Sequence, residues 1–300
     1  MQDCLLYVGQ IIRKKKEIKE RKEMKMKKKV VFLDIDGTLR GFDGVIPEST
    51  KEAIKLARAN GHEMVVCSGR SLYQIDESIM NLGIDGVIGG AGAVVCYKGR
   101  ELYHRYMTRA QKEKLFTYLD SHDVIYTVQT DKESVIPPAI KDKMMAYYKE
   151  LESIGIPLSK VAGELKLDDN LVDNPKVEKL VFHRANMSLE EIGEYLGDEF
   201  SLVSLSFAPD GVDIGVAGEI GIGGITKASG IESYLKAAGV DREDSIAFGD
   251  GYNDFEMIEY VNCGVAMGNG VEKLKEIADF VTDDIDKDGI YNGFKKLGLI

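Results

Sequence analysis

The sequence has no apolar run long enough to cross a membrane. A membrane-spanning helix needs about 20 consecutive, mostly apolar residues, and no stretch of the 300 residues approaches that length. The apolar segment CLLYVGQII near the start is short and precedes the positive charges, which reverses the order of a secretory signal peptide. We therefore expect a cytoplasmic protein with no membrane partner.

Cysteine is also scarce. The four cysteines, at positions 4, 67, 96 and 263, are far apart and form no Cys-x-x-Cys pair. This spacing suggests neither a disulfide framework nor a zinc site. The four histidines likewise show no metal-ligand spacing, so we expect them to be structural or exposed.

Basic side chains are concentrated at the start of the chain. Residues 1–29 hold eleven Lys or Arg and four acidic residues, whereas residues 30–300 hold 28 basic and 46 acidic side chains. An acidic body repels nucleic acid, so we expect no nucleic-acid partner. The basic run could form a helix that contacts RNA or acidic lipid, but it lacks an apolar stripe, which favours a solvated extension. Translation from Met24 or Met26 would remove most of this run.

From residue 30 onward, short apolar runs alternate with helical segments. VVFLDIDGTL and EMVVCSGR are the first two such runs, and a capping box from Ser49 to Glu52 predicts a helix that ends at Gly61. A helix near residues 71–82 and a hairpin turned at Lys98-Gly99 follow. This alternation is typical of a helix-covered parallel sheet, so we predict an α/β fold with a Rossmann-like, doubly wound core.

The pattern changes between residues 108 and 207. This segment has its own strands, VEKLVFHR and SLVSLSF among them, and helices such as LEEIGEYL. About 100 residues suffice for a small independent unit, and the parallel pattern resumes with GVDIGV and SIAFGD. We expect a basic extension over residues 1–29, a core over residues 30–107 and 208–300, and an inserted α+β cap over residues 108–207.

Polar side chains follow three of the predicted core strands. Asp34 and Asp36 end the first, Ser68 ends the second, and Asp250 and Asp254 follow SIAFGD. Ligands bind beyond the carboxyl ends of the strands of such a sheet. Clustered carboxylates repel one another unless a cation lies among them. Hard oxygen ligands suit Mg²⁺, which in turn suits a phosphate ester substrate.

These residue types predict phosphoryl transfer by two aspartates. An ionised Asp34 would attack phosphorus and form an aspartyl-phosphate, while Asp36 would protonate the leaving oxygen and later deprotonate the attacking water. Three sources would supply donors to the phosphoryl oxygens: the Ser68 hydroxyl, main-chain N–H groups near Gly37 and Gly69, and the Lys227 ammonium.

Four motifs resemble those of the haloacid dehalogenase superfamily. They are DIDGTL, CSGR, the lysine in GGITKASGIESYL, and GDGYND, with the large insertion between the second and the third. The ending ADFVTDDIDKDG is similar to that of the Cof-type phosphatases of subclass IIB. The resemblance covers roughly residues 29–300. It implies an Mg²⁺-dependent phosphatase that hydrolyses small phosphorylated metabolites.

The resemblance also implies a role for each matching position. Asp34 would be the nucleophile and Asp36 the general acid and base. Ser68, where many relatives have Thr, would bind the phosphoryl oxygens. Lys227 would balance charge on the nucleophile and the phosphate.

The implied metal site involves the remaining carboxylates. The Asp250 and Asp34 carboxylates and the Asp36 main-chain carbonyl would bind Mg²⁺. Asp254 would act through a metal-bound water or through Lys227, with Asn253 orienting the cluster. The expected phosphate or substrate contacts are Gly37, Gly69, Arg70 and Asn253. Arg70 has two open interpretations: its side chain pairs with an active-site carboxylate, or it pairs with a group on the surface.

The substrate side is less defined by the sequence. Ala91-Gly92 stands where relatives commonly have Asn-Gly, which departs from one usual substrate contact. Specificity would reside in the cap, in loops between residues 126 and 176, where three tyrosines either contact a small polar leaving group such as a sugar or pack internally: Tyr126, Tyr147 and Tyr148. A phosphomutase and a non-catalytic phosphate-binding protein are the alternatives to the phosphatase.

Overall fold

The computed structural model describes residues 27–155, 165–205 and 215–300. Both proposed start sites, Met24 and Met26, and all but the last three residues of the basic extension lie outside the described residues. Two β-sheets organise the rest. In the part of the chain that is described, no helix combines the length and the apolar character needed to span a bilayer.

The first sheet has eight strands. In spatial order they are β14 (Phe280–Val281), β13 (Cys263–Ala266), β12 (Ser245–Gly249), β1 (Val30–Leu33), β2 (Glu63–Cys67), β3 (Gly86–Gly89), β4 (Val94–Tyr97) and β5 (Arg100–His104). The strands from β14 to β3 are parallel, and β4 and β5 are antiparallel additions at one edge. The chain moves outward from β1 through β2 and β3, and later continues on the other side through β12. The strand order therefore reverses between β1 and β12, which is where such sheets bind ligands.

The described helices lie along the chain in the following order. They are α1 (Glu48–Ala59), α2 (Glu77–Met80), α3 (Arg109–Ser121), α4 (Lys141–Ser153), α5 (Leu189–Leu196), α6 (Lys227–Ala238), α7 (Phe255–Tyr260), α8 (Glu272–Ile277) and α9 (Gly289–Lys296).

Strand β1 shows why the first sheet is covered on both faces. Its four residues are fully buried and alternate between two apolar clusters. Val31 and Leu33 pack in the cluster that contains residues of α1 and α9, whereas Val30 and Phe32 pack in the cluster that contains residues of α6, α7 and α8. A strand that is buried on both faces is apolar throughout, so the predicted doubly wound sheet is confirmed.

The second sheet has six strands. In spatial order they are β10 (Phe200–Leu205), β11 (Val216–Ile222), β9 (Val177–Ala185), β6 (Ile125–Thr130), β7 (Ser134–Ile136) and β8 (Leu165–Leu167). All its pairs are antiparallel except β7 with β8. Helices α3, α4 and α5 contribute to its apolar core. This sheet forms a second α+β unit.

The structure corrects the strand expected at the return to the core. GVDIGV lies largely outside the described residues, and its last residue, Val216, begins β11, which pairs antiparallel with β9 and β10. Residues 216–222 therefore belong to the six-stranded sheet, although the sequence placed everything from residue 208 in the core. Cross-strand pairing decides to which sheet a strand belongs, and the sequence of a short apolar run does not specify its pairing partner. The division of the chain into domains stays a prediction.

Two helix predictions are also corrected. Helix α1 begins at Glu48 after Pro47, with no side-chain cap, so the capping box from Ser49 does not form. Proline presets the backbone at a helix start. The helix expected over residues 71–82 is a 3-10 turn followed by the four-residue α2, which begins where the Asp76 carboxylate accepts the Ser78 and Ile79 N–H groups. The hairpin at Lys98-Gly99 forms as expected, with φ of 48° and 76°.

Candidate active site

The candidate site lies at the carboxyl ends of β1, β2 and β12. Because β1 and β12 are parallel neighbours in register, Asp34 and Asp250 leave the sheet at the same edge. The Asp34 N–H donates to the Phe248 carbonyl at 3.1 Å, so the pairing continues one residue past the strand. Local sequence produces each strand, and the sheet brings their ends together.

Lys227 joins two of the carboxylates. Helix α6 begins after Thr226, whose hydroxyl accepts the Ser229 N–H, so Lys227 occupies the first turn. Its Nζ lies 2.6 Å from Asp34 Oδ1 and 2.5 Å from Asp254 Oδ1, and its side chain is 1% exposed. Burial opposes the charge, but Asp254 and Asp34 raise the pKa of Lys227 above its ordinary value. The ammonium is therefore held charged inside the site.

Three buried carboxylates could hold a cation. One oxygen each from Asp34, Asp250 and Asp254 lies within 4.8 Å of the others. Burial raises the pKa of Asp34 to about 7, against the opposing effect of Lys227. Burial, together with the charges of Asp254 and Asp34, raises the pKa of Asp250 to about 8. A divalent cation would relieve this repulsion, and hard oxygen donors are the ligands that Mg²⁺ prefers, so these residues fit Mg²⁺.

Asp254 already has protein partners on both oxygens. Oδ1 accepts from Lys227, and Oδ2 accepts the N–H groups of Asp250 and Gly251, each at 2.9 Å. The side chain is fully buried. Of the two routes expected for Asp254, this geometry favours the one through Lys227.

Gly37 and Thr38 contact Asp250, and Asn269 contacts Gly37; the sequence analysis missed Thr38 and Asn269. A Cβ built on Gly37 would lie 2.1 Å from Asp250 Oδ2, and its φ is +88°, so only glycine fits. Thr38 Oγ1 donates to Asp250 Oδ1 at 2.8 Å, and Asn269 Nδ2 donates to the Gly37 carbonyl at 2.8 Å. Thr38 belongs to the DIDGTL motif and could have been found there, whereas Asn269 carries no motif signal.

Asp36 pairs with Arg70. Arg70 Nε and Nη2 donate to the two Asp36 oxygens at 2.7 and 2.8 Å, and Nη1 donates to the Gln74 carbonyl. The Asp36 and Arg70 side chains are 41% and 33% exposed, so the pair lies at the mouth of the site. Of the two open interpretations, pairing with a carboxylate of the candidate site, Asp36, is the one that the structure shows.

Ser68 and Gly69 follow β2 at the same edge. Ser68 is buried, and its Oγ accepts the Arg70 N–H at 3.3 Å. A Cβ built on Gly69 would lie 3.4 Å from Asn253 Nδ2, so the CSGR and GDGYND motifs meet here. The same Cβ position would lie 3.4 Å from Lys179 Nζ. A residue of the six-stranded sheet therefore lies beside the candidate site.

Other contacts across the two sheets were also missed. The fully buried Glu178 of β9 accepts from Ser71 Oγ at 2.5 Å and pairs with His104 Nε2 at 2.5 Å. Within the six-stranded sheet, Lys179 of β9 pairs with Glu219 of β11 at 2.6 Å, a contact that was missed as well. No local pattern distinguishes these charged residues from solvated ones, because their surroundings arise only from sheet pairing.

The three tyrosines do not form a substrate surface. They are 1%, 2% and 3% exposed within the apolar core of the six-stranded sheet: Tyr126, Tyr147 and Tyr148. Of the two interpretations offered by the sequence, internal packing is correct. Ala91 adopts φ of +54°, in the left-handed region, at the junction between the sheets.

The fold and the site define a class of protein. The sequence model of the haloacid dehalogenase-like hydrolases matches residues 31–294, and the chain belongs to this family. The resemblance noted from the four motifs is therefore confirmed, as is the α/β fold with a cap.

Individual relatives indicate which kind of hydrolase the chain is. The chain is 32% identical over 283 residues to the putative phosphatase YkrA of Bacillus subtilis, covering 92% of this chain and all of that protein. It is 29% identical to the 5-amino-6-(5-phospho-D-ribitylamino)uracil phosphatase YitU of the same organism, covering 91% and 98% of the two chains. The solved subclass IIB sugar phosphatase BT4131 superposes with a TM-score of 0.71 at 27% identity, covering 91% and 100%. The chain is a Cof-type phosphatase that acts on phosphorylated substrates.

Proposed function

We propose that this protein is an Mg²⁺-dependent phosphatase that hydrolyses small phosphorylated metabolites through an aspartyl-phosphate on Asp34. The observation that carries the proposal is the buried contact of Lys227 with Asp34 and Asp254, beside Asp250. A carboxylate that is oriented by a fixed ammonium in a dry crevice is suited to attack phosphorus.

Lys227 prepares the nucleophile. Its ammonium lies on one oxygen of Asp34 and favours the carboxylate form, against the burial that raises the pKa of this group. Asp254 fixes the ammonium and is itself fixed by two main-chain N–H groups. The nucleophile is thus oriented before substrate arrives, which lowers the reorganisation needed for attack.

Asp36 would transfer the proton. It follows the nucleophile by two residues, and Arg70 donates to both of its oxygens. Asp36 would have to leave this pairing and take up a proton from solvent before it acts as an acid. In the first step it would protonate the oxygen of the leaving group as the phosphorus–oxygen ester bond breaks. In the second step it would accept a proton from the water that hydrolyses the aspartyl-phosphate.

The phosphoryl oxygens need donors and a cation. Ser68, the Gly69 main chain and Asn253 lie around one point of the site, and Arg70 stands at its mouth. The Asp34 and Asp250 carboxylates and the Asp36 main-chain carbonyl would hold Mg²⁺. When bound, Mg²⁺ neutralises phosphoryl charge as it builds up. Thr38 and Gly37 keep Asp250 in place for this role.

Small phosphorylated metabolites are proposed as substrates because of the relatives. YitU is named for a phosphorylated ribityl compound, and BT4131 is described as a sugar phosphatase. Both names describe small esters whose leaving groups carry hydroxyls.

The proposal is tested by phosphate release from p-nitrophenyl phosphate and a panel of sugar phosphates, with and without Mg²⁺. We expect Mg²⁺-dependent release by the wild type and a loss of at least about 1000-fold in Asp34→Asn. Asp123→Asn, at an exposed position on the six-stranded unit, is the matched control and should retain activity. Release that survives Asp34→Asn would contradict the nucleophile, and a requirement for a bisphosphate activator would support the mutase instead.

A further inference from the structure

Three strands of the six-stranded sheet carry polar side chains on one face. Lys179 on β9 pairs with Glu219 on β11 at 2.6 Å. Glu219 stands opposite Val181, two residues from Lys179, and Gln129 on β6 stands directly opposite Lys179. Opposed residues of an antiparallel pair share a face, as do residues two apart in a strand. All three side chains therefore project from the same side of the sheet.

This face meets the core beside the proposed phosphate site. A Cβ built on Gly69 would lie 3.4 Å from Lys179 Nζ, 3.6 Å from Glu219 Oε1 and 3.4 Å from Asn253 Nδ2. Gly69 directly follows Ser68, whose hydroxyl is proposed to bind the phosphoryl oxygens. The ion pair is thus positioned where the non-phosphate part of an ester would extend toward the six-stranded sheet.

Folding alone does not account for these polar groups. The Lys179 and Glu219 side chains are 3% and 14% exposed, and an ion pair this buried contributes little net stability, since desolvation offsets the attraction. Gln129 Oε1 is buried and has no hydrogen-bond partner among the residues that the structure describes. Buried polar atoms are normally satisfied, so an acceptor left open beside the ion pair points to a ligand that donates.

We propose that Lys179 and Glu219 determine which leaving group the phosphatase accepts, binding a neutral, hydroxyl-bearing group and rejecting a charged one. This inference rests on the proposed function. A hydroxyl can accept from the ammonium, and a neighbouring hydroxyl can donate to the carboxylate, so neither buried charge loses its partner. An anionic leaving group would be repelled by the Glu219 carboxylate, and a cationic one by the Lys179 ammonium. The site holds little water to screen this repulsion.

The space beside the pair explains why substrate must engage it. A cavity of about 20 Å³ is lined by Lys179 and Glu219 on one side and by Gly90 and Ala91 on the other. Such a volume holds about one water molecule. A leaving group of several atoms fits only if the two charged side chains separate, and its hydroxyls must then replace the contacts that the side chains made with each other.

The test compares sorbitol 6-phosphate with 6-phosphogluconate. These open-chain esters differ only at the far carbon, which carries a hydroxyl in the first and a carboxylate in the second. We expect the wild type to favour the neutral ester, and Glu219→Gln to raise the ratio of kcat/KM for 6-phosphogluconate over sorbitol 6-phosphate by about tenfold or more. Lys179→Met should likewise raise the ratio for glucosamine 6-phosphate over glucose 6-phosphate.

Two further variants serve as controls for misfolding and for changes in activity that do not depend on the ion pair. Lys179→Met/Glu219→Gln removes both buried charges together, so it should fold as the wild type does and lose discrimination in both substrate pairs. Glu150→Gln removes the carboxylate that pairs with Arg184. Arg184 lies five residues beyond Lys179 on β9, a distance of about 17 Å, so this variant should leave both ratios unchanged.

The outcomes separate this inference from the proposed function. Unchanged ratios in both single variants, equal losses on all esters, or a wild type that cleaves p-nitrophenyl phosphate but none of the four sugar esters would overturn the inference alone. A wild type inactive on every ester, the aryl phosphate included, would overturn the proposed function and the inference together.

Discussion

At the residue scale, Gly37 leaves no room for a side chain. Gly37→Ala would place a Cβ 2.1 Å from Asp250 Oδ2 and would force alanine into φ of +88°. The Asp250 carboxylate would have to move, so we expect kcat/KM for an aryl phosphate to fall by about 100-fold or more. Gly44→Ala is the matched control, because Gly44 has φ of +87° and no atom within 4 Å of the added Cβ. Equal activity losses in both variants would show that backbone strain, and not Asp250, is responsible.

Thr38 allows a finer change at the same carboxylate. Thr38→Val keeps the shape of the side chain but removes the hydrogen bond to Asp250 Oδ1. Loss of such a supporting contact typically weakens metal binding by about 10- to 100-fold, so we expect the Mg²⁺ concentration for half-maximal activity to rise by about tenfold or more. Thr38→Ser retains the hydroxyl and should stay close to the wild type. A Val variant with unaltered Mg²⁺ dependence would separate Thr38 from the metal site.

At the element scale, the pairing of β6 with β9 buries His183 beside Thr127. Burial lowers the pKa of His183 from an ordinary 6.5 to about 4. The unfolded chain takes up this proton near pH 6.5 and the folded chain only near pH 4, so the folded state loses stability as pH falls between these values. The loss from this residue is about 2 kcal/mol between pH 7 and pH 5.

This effect can be measured by urea unfolding at pH 7, 6 and 5. His183→Gln cannot titrate, so its stability should fall less over this range than that of the wild type by about 2 kcal/mol. His122→Gln, at an exposed helix end, is the control and should follow the wild type. Parallel pH curves for wild type and His183→Gln would mean that His183 accepts its proton in the folded state as easily as in the unfolded chain.

Elements were predictable where local sequence dominates. The apolar runs that form β1, β2 and β12 are buried on both faces, so their composition alone marks them as core strands. The helix predicted over residues 71–82 does not form as one element because tertiary contacts outweigh helix propensity there. Arg40 pairs with Asp76 at 2.5 Å, and Arg70 donates to the Gln74 carbonyl, which holds this segment around the site.

At the scale of the whole molecule, Glu178 joins the two sheets. Its buried carboxylate bonds to Ser71 Oγ after β2 and to His104 at the end of β5. Glu178→Ala would leave both partners without their acceptor, so we expect a loss of about 3 kcal/mol in the free energy of unfolding. Faster hydrogen exchange at residues 71–74 should accompany this loss.

A surface carboxylate provides the comparison. Glu133 pairs with Lys166 at 2.5 Å, and the two side chains are 38% and 56% exposed. Glu133→Ala should therefore change stability by no more than about 0.5 kcal/mol. Similar losses in the two variants would contradict a special role for Glu178 at the junction.

The sequence by itself determined the family and predicted the candidate site residues contributed by the core. Asp34, Asp36 and Ser68 follow directly after strands whose apolar composition is readable from the chain, and Asp250 follows in the same way. Each motif is local, and a parallel sheet brings the ends of its strands to one edge regardless of the residues between them.

Only the tertiary structure decided how the six-stranded sheet meets this edge. Glu178, Lys179 and Glu219 look like ordinary charged strand residues in the sequence, and β11 looked like a strand of the core. Their contacts arise from antiparallel pairing between segments tens of residues apart and from the packing of one sheet on the other. The register of such pairing depends on many side chains at once, so no single segment of the sequence records it.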